Sequence, residues 1–414
     1  MTVLRSIDER VRITELPGGV RVVSDPVPQA ASVAIGAWVG VGSRDEPSEL
    51  AGASHFMEHL LFKGTDRRSS AQVNAAIDAV GGELNAFTTK EHTAFYTRVP
   101  GGDAELGLDL LAEILTVPAM EERHVEIERE VILEELAMVI DTPDELVFSV
   151  LNEELFKGHP LGWEVLGRQD TLEALTRDDL SGFFGRWYGP PHIVVAAAGA
   201  VDHDWLVGVA TDRFGDRPVQ ARHERRAPEP LVGSVTAVER DSEQVHLARA
   251  WRGVHHLDPD RYPLAVLNHV LGDGPSSRLF REVRDERGLA YSVFTSHSSS
   301  SDAGSVSLYC GTAPEHLEEV RELVDAELLS IRTEPVAADE LEVAIGYLCG
   351  SMILGLEDHG ARMSRLAASM TALGELVPVS DVISRIRAVT TDDIMAVADR
   401  IFGSAAVEVT VGPT

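Results

Sequence analysis

The sequence predicts an α+β fold with two structurally related domains, in which an antiparallel sheet packed with helices is duplicated. Its 414 residues are too many for one ordinary domain. Segments typical of strands and of helices both occur in the first half. An Ala-Trp-x-Gly-Val pattern at Ala37–Val41 recurs at Ala250–Val254, and each copy precedes a polar, Asp-bearing turn and an apolar helix. Internal repetition of this kind favours duplicated domains.

The first half begins with two segments typical of strands. Val20–Val23 is short and rich in β-branched residues, and Ala31–Trp38 predicts a longer strand. Because side chains alternate along a strand, Val33 and Ile35 would share one face and small residues the other. A strand pair is predicted within Leu84–Arg98, which is rich in Thr, Phe and Tyr.

Helical segments follow these strands. We expect helices at about 52–63, 70–79, 104–115 and 121–140. Ser70 is the expected N-cap of the second of these helices, and Gly81-Gly82 lies beyond its end. Further along the chain, Ile193–Gly199 predicts a short buried strand.

A polar segment separates the two halves of the chain. It contains Pro218, Pro228 and Pro230 among Arg and Glu residues, which is typical of a linker. We therefore predict an N-terminal domain at 1–216, a linker at 217–234 and a homologous C-terminal domain at 235–414.

Composition excludes several classes of protein. The net charge of −31 argues against nucleic acid and anionic membrane partners, which need a basic surface. Cys310 and Cys349 are the only cysteines, so a disulfide scaffold and a cysteine zinc site are excluded. The N-terminal residues lack the apolar core of a signal peptide, and no stretch approaches the ~18–20 apolar residues of a membrane span. A cytoplasmic protein is the expectation.

The segment His55-Phe56-Met57-Glu58-His59 carries the strongest chemical signal. Residues spaced i, i+4 lie on one helix face, so both imidazoles can reach one Zn²⁺ at roughly 2.0–2.1 Å. Glu58 projects beside that face and can accept a proton from a water molecule whose pKa zinc lowers toward ~7. This is the inverted H-x-x-E-H order of a zinc peptidase sequence. The corresponding helix of the second half has no such sequence.

A third protein ligand must come from elsewhere in the chain. The helix predicted at 121–140 contains several glutamates, and Glu128 and Glu135 lie two turns apart on one face. Glu134 points about 100° away from Glu135. We favour Glu135 as the ligand and expect Glu128 to support a histidine or the water from behind. The alternative is that this charge-dense helix is only a solvated face and that each histidine is structural.

Three separated segments resemble the pitrilysin/insulinase family of metallopeptidases, in the shorter branch that contains mitochondrial processing peptidase and its bacterial relatives. They are Gly52–Thr65, the Gly-Gly-x-x-Asn-Ala-x-Thr sequence of Gly81–Thr88, and the E-x6-E sequence of Glu128–Glu135. The resemblance covers about residues 15–412 and implies a zinc endopeptidase with Glu135 as third ligand. It also implies that an extended peptide is bound along the strand that carries Asn85, Ala86, Phe87 and Thr88.

Arg284 and Tyr291 resemble the R-x6-Y element of the same family. The resemblance implies that both contact substrate near the scissile bond, where their donors would stabilise an oxyanion. It further implies a clamshell dimer, in which the zinc helix of one chain faces this element of its partner. A homodimer is expected because the chain carries both parts, and a heterodimer with an inactive homologue is the alternative. Unfolded peptides are the expected substrates, and the acidic surface would favour basic ones.

Two rival functions follow from the same residues. The first is a non-catalytic structural or regulatory subunit of the same fold, which would be marked by loss of a ligand or of Glu58. Neither loss is present. The second is a peptide-binding protein with an accidental metal site, which would contain no zinc after purification.

Overall fold

The computed structural model describes residues 8–215 and 224–413, which form two compact units. As far as these ranges are described, unit 1 comprises Met1–Leu136, Glu164–Arg225 and Ile353–Ser380, and unit 2 comprises Ala137–Trp163, Arg226–Met352 and Asp381–Thr414. The units thus differ from the predicted contiguous domains, because each takes one helical segment from the other half of the sequence. Of the predicted linker, 217–223 lies outside the described residues, 224–233 has no regular structure, and Ser234 begins a strand.

Unit 1 contains a six-stranded mixed sheet with the order β1-β2-β6-β3-β5-β4. The strands are β1 (Arg12–Glu15), β2 (Arg21–Pro26), β3 (Ser32–Val39), β4 (Glu83–Thr88), β5 (Thr93–Pro100) and β6 (Ile193–Gly199). β2 and β6 are parallel, and every other neighbouring pair in this sheet is antiparallel. β4 is the last strand on its side and presents one edge of the sheet.

Unit 2 repeats this topology with five strands in the order β7-β11-β8-β10-β9. They are β7 (Ser234–Glu239), β8 (Val245–Arg252), β9 (Ala290–Ser299), β10 (Gly304–Thr312) and β11 (Ala406–Gly412). Their order and directions match β2-β6-β3-β5-β4, with β7 and β11 as the parallel pair. The repeated Ala-Trp dipeptides lie on the equivalent strands β3 and β8.

The predicted α+β class and its duplication are therefore confirmed, but the sheets are mixed and not purely antiparallel. One parallel pair occurs in each sheet because β6 and β11 each join only after a long helical excursion. Such a crossover returns the chain in the direction of the first strand, whereas a hairpin would reverse it.

Helices surround both sheets. In chain order they are α1 (Ala53–Leu61), α2 (Ser70–Asp78), α3 (Ala104–Thr116), α4 (Glu122–Asp141), α5 (Pro143–Leu155), α6 (Gln169–Ala174), α7 (Arg177–Trp187), α8 (His203–Phe214), α9 (Arg261–Leu271), α10 (Leu317–Thr333), α11 (Ala338–Gly355), α12 (His359–Ala372), α13 (Val379–Arg387) and α14 (Thr391–Phe402). No helix among the described residues combines the length and apolar character that crossing a membrane requires.

Both faces of the first sheet are buried. Val33 and Ile35 pack with α1 and α3 in the main core of unit 1, as their alternation predicts. The opposite face, predicted to carry small residues, contains Trp38 as well and packs against α12. Gly36 permits this approach, because a Cβ there would lie 2.7 Å from the sulfur of Met363.

The second sheet is covered by a helix from the first half of the chain. Leu151 and Leu155 of α5 pack with Ala248 of β8 and Val409 of β11 in the core of unit 2. Each sheet is therefore completed by a helix that lies far from it in the sequence.

The N-cap predicted for α2 is displaced by one residue. Ser69, and not Ser70, has the extended backbone of a cap and accepts from the Gln72 N–H. The Gln72 side chain in turn accepts from the Ser69 N–H at 2.9 Å. This reciprocal pair is a capping box, and it explains why the helix begins where it does.

Candidate metal centre

Helix α1 carries the HxxEH sequence, and its amphipathic pattern directs the polar residues to one side. Phe56, Met57, Leu60 and Leu61 are buried in the core of unit 1. His55, Glu58 and His59 lie on the remaining face and are only partly buried. Gly52 is the N-cap residue of this helix, and its φ of +99° suits glycine. A Cβ at Gly52 would also lie 2.8 Å from the Leu166 carbonyl oxygen.

Glu135 of α4 meets both histidines of α1. Its Oε2 atom lies 3.8 Å from His55 Nε2 and 3.7 Å from His59 Nε2. Glu134, the alternative considered from the sequence, is exposed. Across residues 8–215 and 224–413, these three side chains form the only group of His, Cys, Asp or Glu whose ligand atoms converge within 4.8 Å.

This donor set fits a zinc ion. Tetrahedral ligands at roughly 2.0–2.1 Å from Zn²⁺ stand about 3.4 Å from one another, close to the separations of Glu135 from the two imidazoles. Two nitrogens and one carboxylate oxygen leave a fourth position open, which is typical of catalytic and not of structural zinc.

Glu128 and Lys63 support His59 from behind. The Nδ1 atom of His59 lies 3.0 Å from Glu128 Oε2, so that an Nδ1–H donates and the Nε2 lone pair faces Glu135. Glu128 is buried, and its other oxygen lies 2.7 Å from the Lys63 ammonium. The predicted position of Glu128 behind a histidine agrees with this contact. Lys63 was missed by sequence reasoning, although its i, i+4 spacing from His59 was a usable signal.

His55 is also suited to bind a cation. Burial, with a smaller contribution from the neighbouring His59, lowers the pKa of His55 to about 4. Its ring therefore stays neutral near pH 7 and keeps a lone pair for a metal.

Glu58 has the properties of a proton acceptor. Burial raises the pKa of its carboxyl group, and the nearby Glu135 carboxylate acts in the same direction. The Thr88 hydroxyl donates to Glu58 Oε2 at 2.5 Å, which partly offsets the rise in pKa and fixes the orientation of the carboxylate. The other oxygen remains available for a proton.

The predicted peptide-binding residues lie on the edge strand β4. Asn85 and Phe87 are exposed, whereas Ala86 and Thr88 alternate with them and are partly buried. The hydroxyl of Thr88 donates to Glu58. Sequence reasoning treated Thr88 only as a substrate residue and missed its contact with Glu58, for which the sequence offers no spacing rule.

Arg284 and Tyr291 lie together in unit 2, whereas the histidine and glutamate cluster belongs to unit 1. The Arg284 guanidinium stacks 4.5 Å from the centre of the Tyr291 ring. Tyr291 is 77% exposed, which is unusual for an aromatic side chain of a strand. Tyr291 is thus accessible to solvent, whereas Arg284 is only partly exposed.

Comparison with known proteins finds relatives along almost the whole chain. An uncharacterized zinc protease of Streptomyces coelicolor is 42% identical over 97% of this chain and 90% of its own length. An uncharacterized zinc protease of Bacillus subtilis is 34% identical, with 93% and 94% of the two chains covered. A protease from Helicobacter pylori, of known crystal structure, shares the fold with a TM-score of 0.92 at 21% identity, covering 97% of this chain and 99% of the other.

Two family models match successive parts of the chain. Residues 21–169 match the insulinase model of peptidase family M16, and residues 174–348 match the model described as the peptidase M16 inactive domain. The second match agrees with the absence of HxxEH from α9. The resemblance inferred from the sequence is confirmed. The chain belongs to the pitrilysin/insulinase family of metallopeptidases, peptidase family M16.

Proposed function

We propose that this protein is a zinc-dependent endopeptidase that hydrolyses unfolded peptides. The observation that carries the proposal is the convergence of His55, His59 and Glu135 beside Glu58. The two named zinc proteases among its relatives support the same metal and the same reaction class.

Each residue of the cluster has a separate task. His55, His59 and Glu135 would hold the metal. Zinc, when bound, supplies a Lewis acid that polarises the scissile carbonyl and lowers the pKa of water toward ~7. Glu58 accepts the proton of the attacking water on its carboxylate and returns it to the leaving amine. Its raised pKa favours the first transfer, and the Thr88 hydrogen bond keeps the carboxylate aimed.

The edge strand β4 supports a peptide substrate. Its outer side lies at the end of the sheet, so an extended peptide would pair with its backbone as an additional strand. Such pairing requires an unfolded segment and recognises backbone more than side chains. The net charge of −31 would favour basic peptides. Equal hydrolysis of acidic and basic peptides of otherwise matched sequence would contradict that preference.

We further propose that the active form is a homodimer, in which Arg284 and Tyr291 act on substrate held by the zinc helix of the partner chain. The exposed Tyr291 and the guanidinium stacked on it are donors suited to a developing oxyanion. A chain that carries both parts can form two complete sites in a symmetric dimer. Activity that appears only after an inactive homologue is added would instead favour a heterodimer.

Substitution of Glu58 tests the central proposal. Glu58→Gln keeps the size of the side chain but removes the proton acceptor, so we expect about one zinc per chain and a loss of at least roughly 100-fold in peptide cleavage. Metal analysis and a quenched fluorescent peptide assay provide the two measurements. Glu130→Gln, at an exposed position of α4, is the matched control and should behave as wild type.

The two results together separate the rivals. A Glu58→Gln variant that cleaves as well as its parent would disprove the role of this residue. Wild type that binds zinc but cleaves no peptide would favour the non-catalytic subunit, and wild type without zinc would favour a peptide-binding protein.

A further inference from the structure

A loop of three consecutive charged residues is buried just before the zinc helix. Arg44, Asp45 and Glu46 are 5%, 6% and 4% exposed. Burying a charge is costly unless a partner and hydrogen bonds compensate it. Arg44 lies 2.6 Å from a Glu91 carboxylate oxygen, and Asp45 accepts a bidentate pair of bonds from Arg225. These contacts hold the loop rigidly.

Glu46 has different partners, which are backbone groups of α1. One carboxylate oxygen lies 2.7 Å from the Gly52 nitrogen, and the other lies 2.7 Å from the Ser54 nitrogen. The first N–H groups of a helix have no partner within the helix. Gly52, in the cap position, has no side chain to supply one. Glu46 therefore caps the helix from six residues outside it.

Both oxygens accept from N–H groups, an arrangement that favours the ionised carboxylate. The pKa of Glu46 is raised to about 8, because burial outweighs the opposing effect of the two backbone hydrogen bonds. The positive end of the helix dipole further favours the charged form. A neutral side chain of the same size would satisfy only one of the two N–H groups.

We propose that Glu46 is a positioning residue for the metal, because it fixes the first turn of α1, from which His55 projects. His55 directly follows Ser54, the second residue held by this carboxylate. Functional sites require their groups to be held within about 0.5 Å of the productive geometry. The inference rests on the proposed zinc site. It adds a residue that lies outside the metal-binding cluster and outside the HxxEH sequence.

Zinc affinity, measured by competition with a chromophoric chelator, tests this role without any cleavage assay. We expect Glu46→Gln to weaken zinc binding about tenfold, since it loses one of two hydrogen bonds at the turn that carries a ligand. Glu49→Gln is an exposed control in the same loop region. Asp202→Ala is the second control, since Asp202 caps α8 through the Trp205 N–H at 2.8 Å, in the same unit but at another helix. Both controls should bind zinc within twofold of wild type.

Three outcomes would overturn the proposal. Glu46→Gln with wild-type zinc affinity would show that the contact does not position His55. An equal loss in Asp202→Ala would show that general destabilisation explains the effect. Wild type that binds no zinc would remove the proposed function together with this inference, whereas the first two results leave the proposed function intact. If Glu46→Gln yields no folded protein, Glu46→Asp is compared with the same controls, and its shorter carboxylate should also weaken binding.

Discussion

The imidazole of His59 is held at Nδ1 and turns Nε2 toward Glu135, an arrangement that makes a histidine a defined metal ligand. Glu128 accepts at Nδ1, and Lys63 neutralises the buried Glu128 carboxylate. The hydrogen bond selects the tautomer whose Nε2 lone pair faces Glu135. Burial of a carboxylate without a cation would be strongly unfavourable, and the ion pair with Lys63 offsets part of this cost.

Removal of the Glu128 acceptor should therefore weaken zinc binding. We expect Glu128→Met, which preserves volume but has no acceptor, to lower zinc affinity by about 10–100-fold in a chelator competition assay. Glu128→Gln keeps an acceptor oxygen for Nδ1–H and should lose less. Glu130→Gln on the exposed side of α4 should have no effect. If all three variants bind zinc equally well, His59 does not depend on Glu128 for its orientation.

At the scale of elements, the first sheet depends on a helix from the last quarter of the chain. Helix α12 covers the face of β3 and β6 that a half-exposed sheet would leave to solvent. Met363, Leu366 and Met370 provide its buried side. Burial of both faces explains why β6 is fully buried along its length and contains only apolar residues and glycine.

Shortening a buried side chain between α12 and the first sheet should lower the stability of the protein. Met363 is 1% exposed, so Met363→Ala should lower the free energy of unfolding by about 2–5 kcal/mol, through lost burial and the cavity left behind. Urea unfolding followed by tryptophan fluorescence is a suitable measurement, since Trp38 packs in the same cluster. Ala368→Ser, at an exposed position of α12, should change stability by less than about 0.5 kcal/mol. A change of similar size in both variants would contradict the role of α12 in this core.

At the scale of the whole molecule, the proposed catalytic groups are divided between the two compact units. The metal ligands and Glu58 belong to unit 1, and Arg284 and Tyr291 belong to unit 2. In the proposed homodimer, one active site takes its metal ligands and Glu58 from one chain and Arg284 and Tyr291 from the other. Substitutions in the two groups of residues can therefore be placed on different chains of one dimer.

Complementation tests that assignment. Glu58→Gln and the double variant Arg284→Ala/Tyr291→Phe should each be nearly inactive alone. An equimolar, re-equilibrated mixture should regain about a quarter of wild-type activity, because half of the dimers are mixed and one of their two sites is intact. Sedimentation analysis confirms that dimers are present. No gain above the two parents would mean that both sets act within one chain, or that the second set has no role.

Local sequence rules were sufficient for the elements that carry the chemistry. The spacing of His55, Glu58 and His59 defined one helix face, and α1 lies within two residues of its predicted bounds at either end. The strand at Ile193–Gly199 was predicted with its observed bounds, since a short apolar run is typical of a buried strand. The choice of Glu135 over Glu134 followed from the angular period of the helix and agrees with the observed contacts.

Long-range packing was beyond those rules. The packing of α5 and α12 on distant sheets, the parallel pairs in both sheets and the Thr88 contact with Glu58 each join residues distant in the chain. No periodicity within a segment specifies which distant segment will cover it. The HxxEH sequence therefore identified the ligands and the chemistry, because helix geometry is local. Glu128 was predicted as a support for a histidine, whereas the Thr88 and Glu46 contacts became visible only with the folded chain, because no periodicity within a helix or strand specifies them.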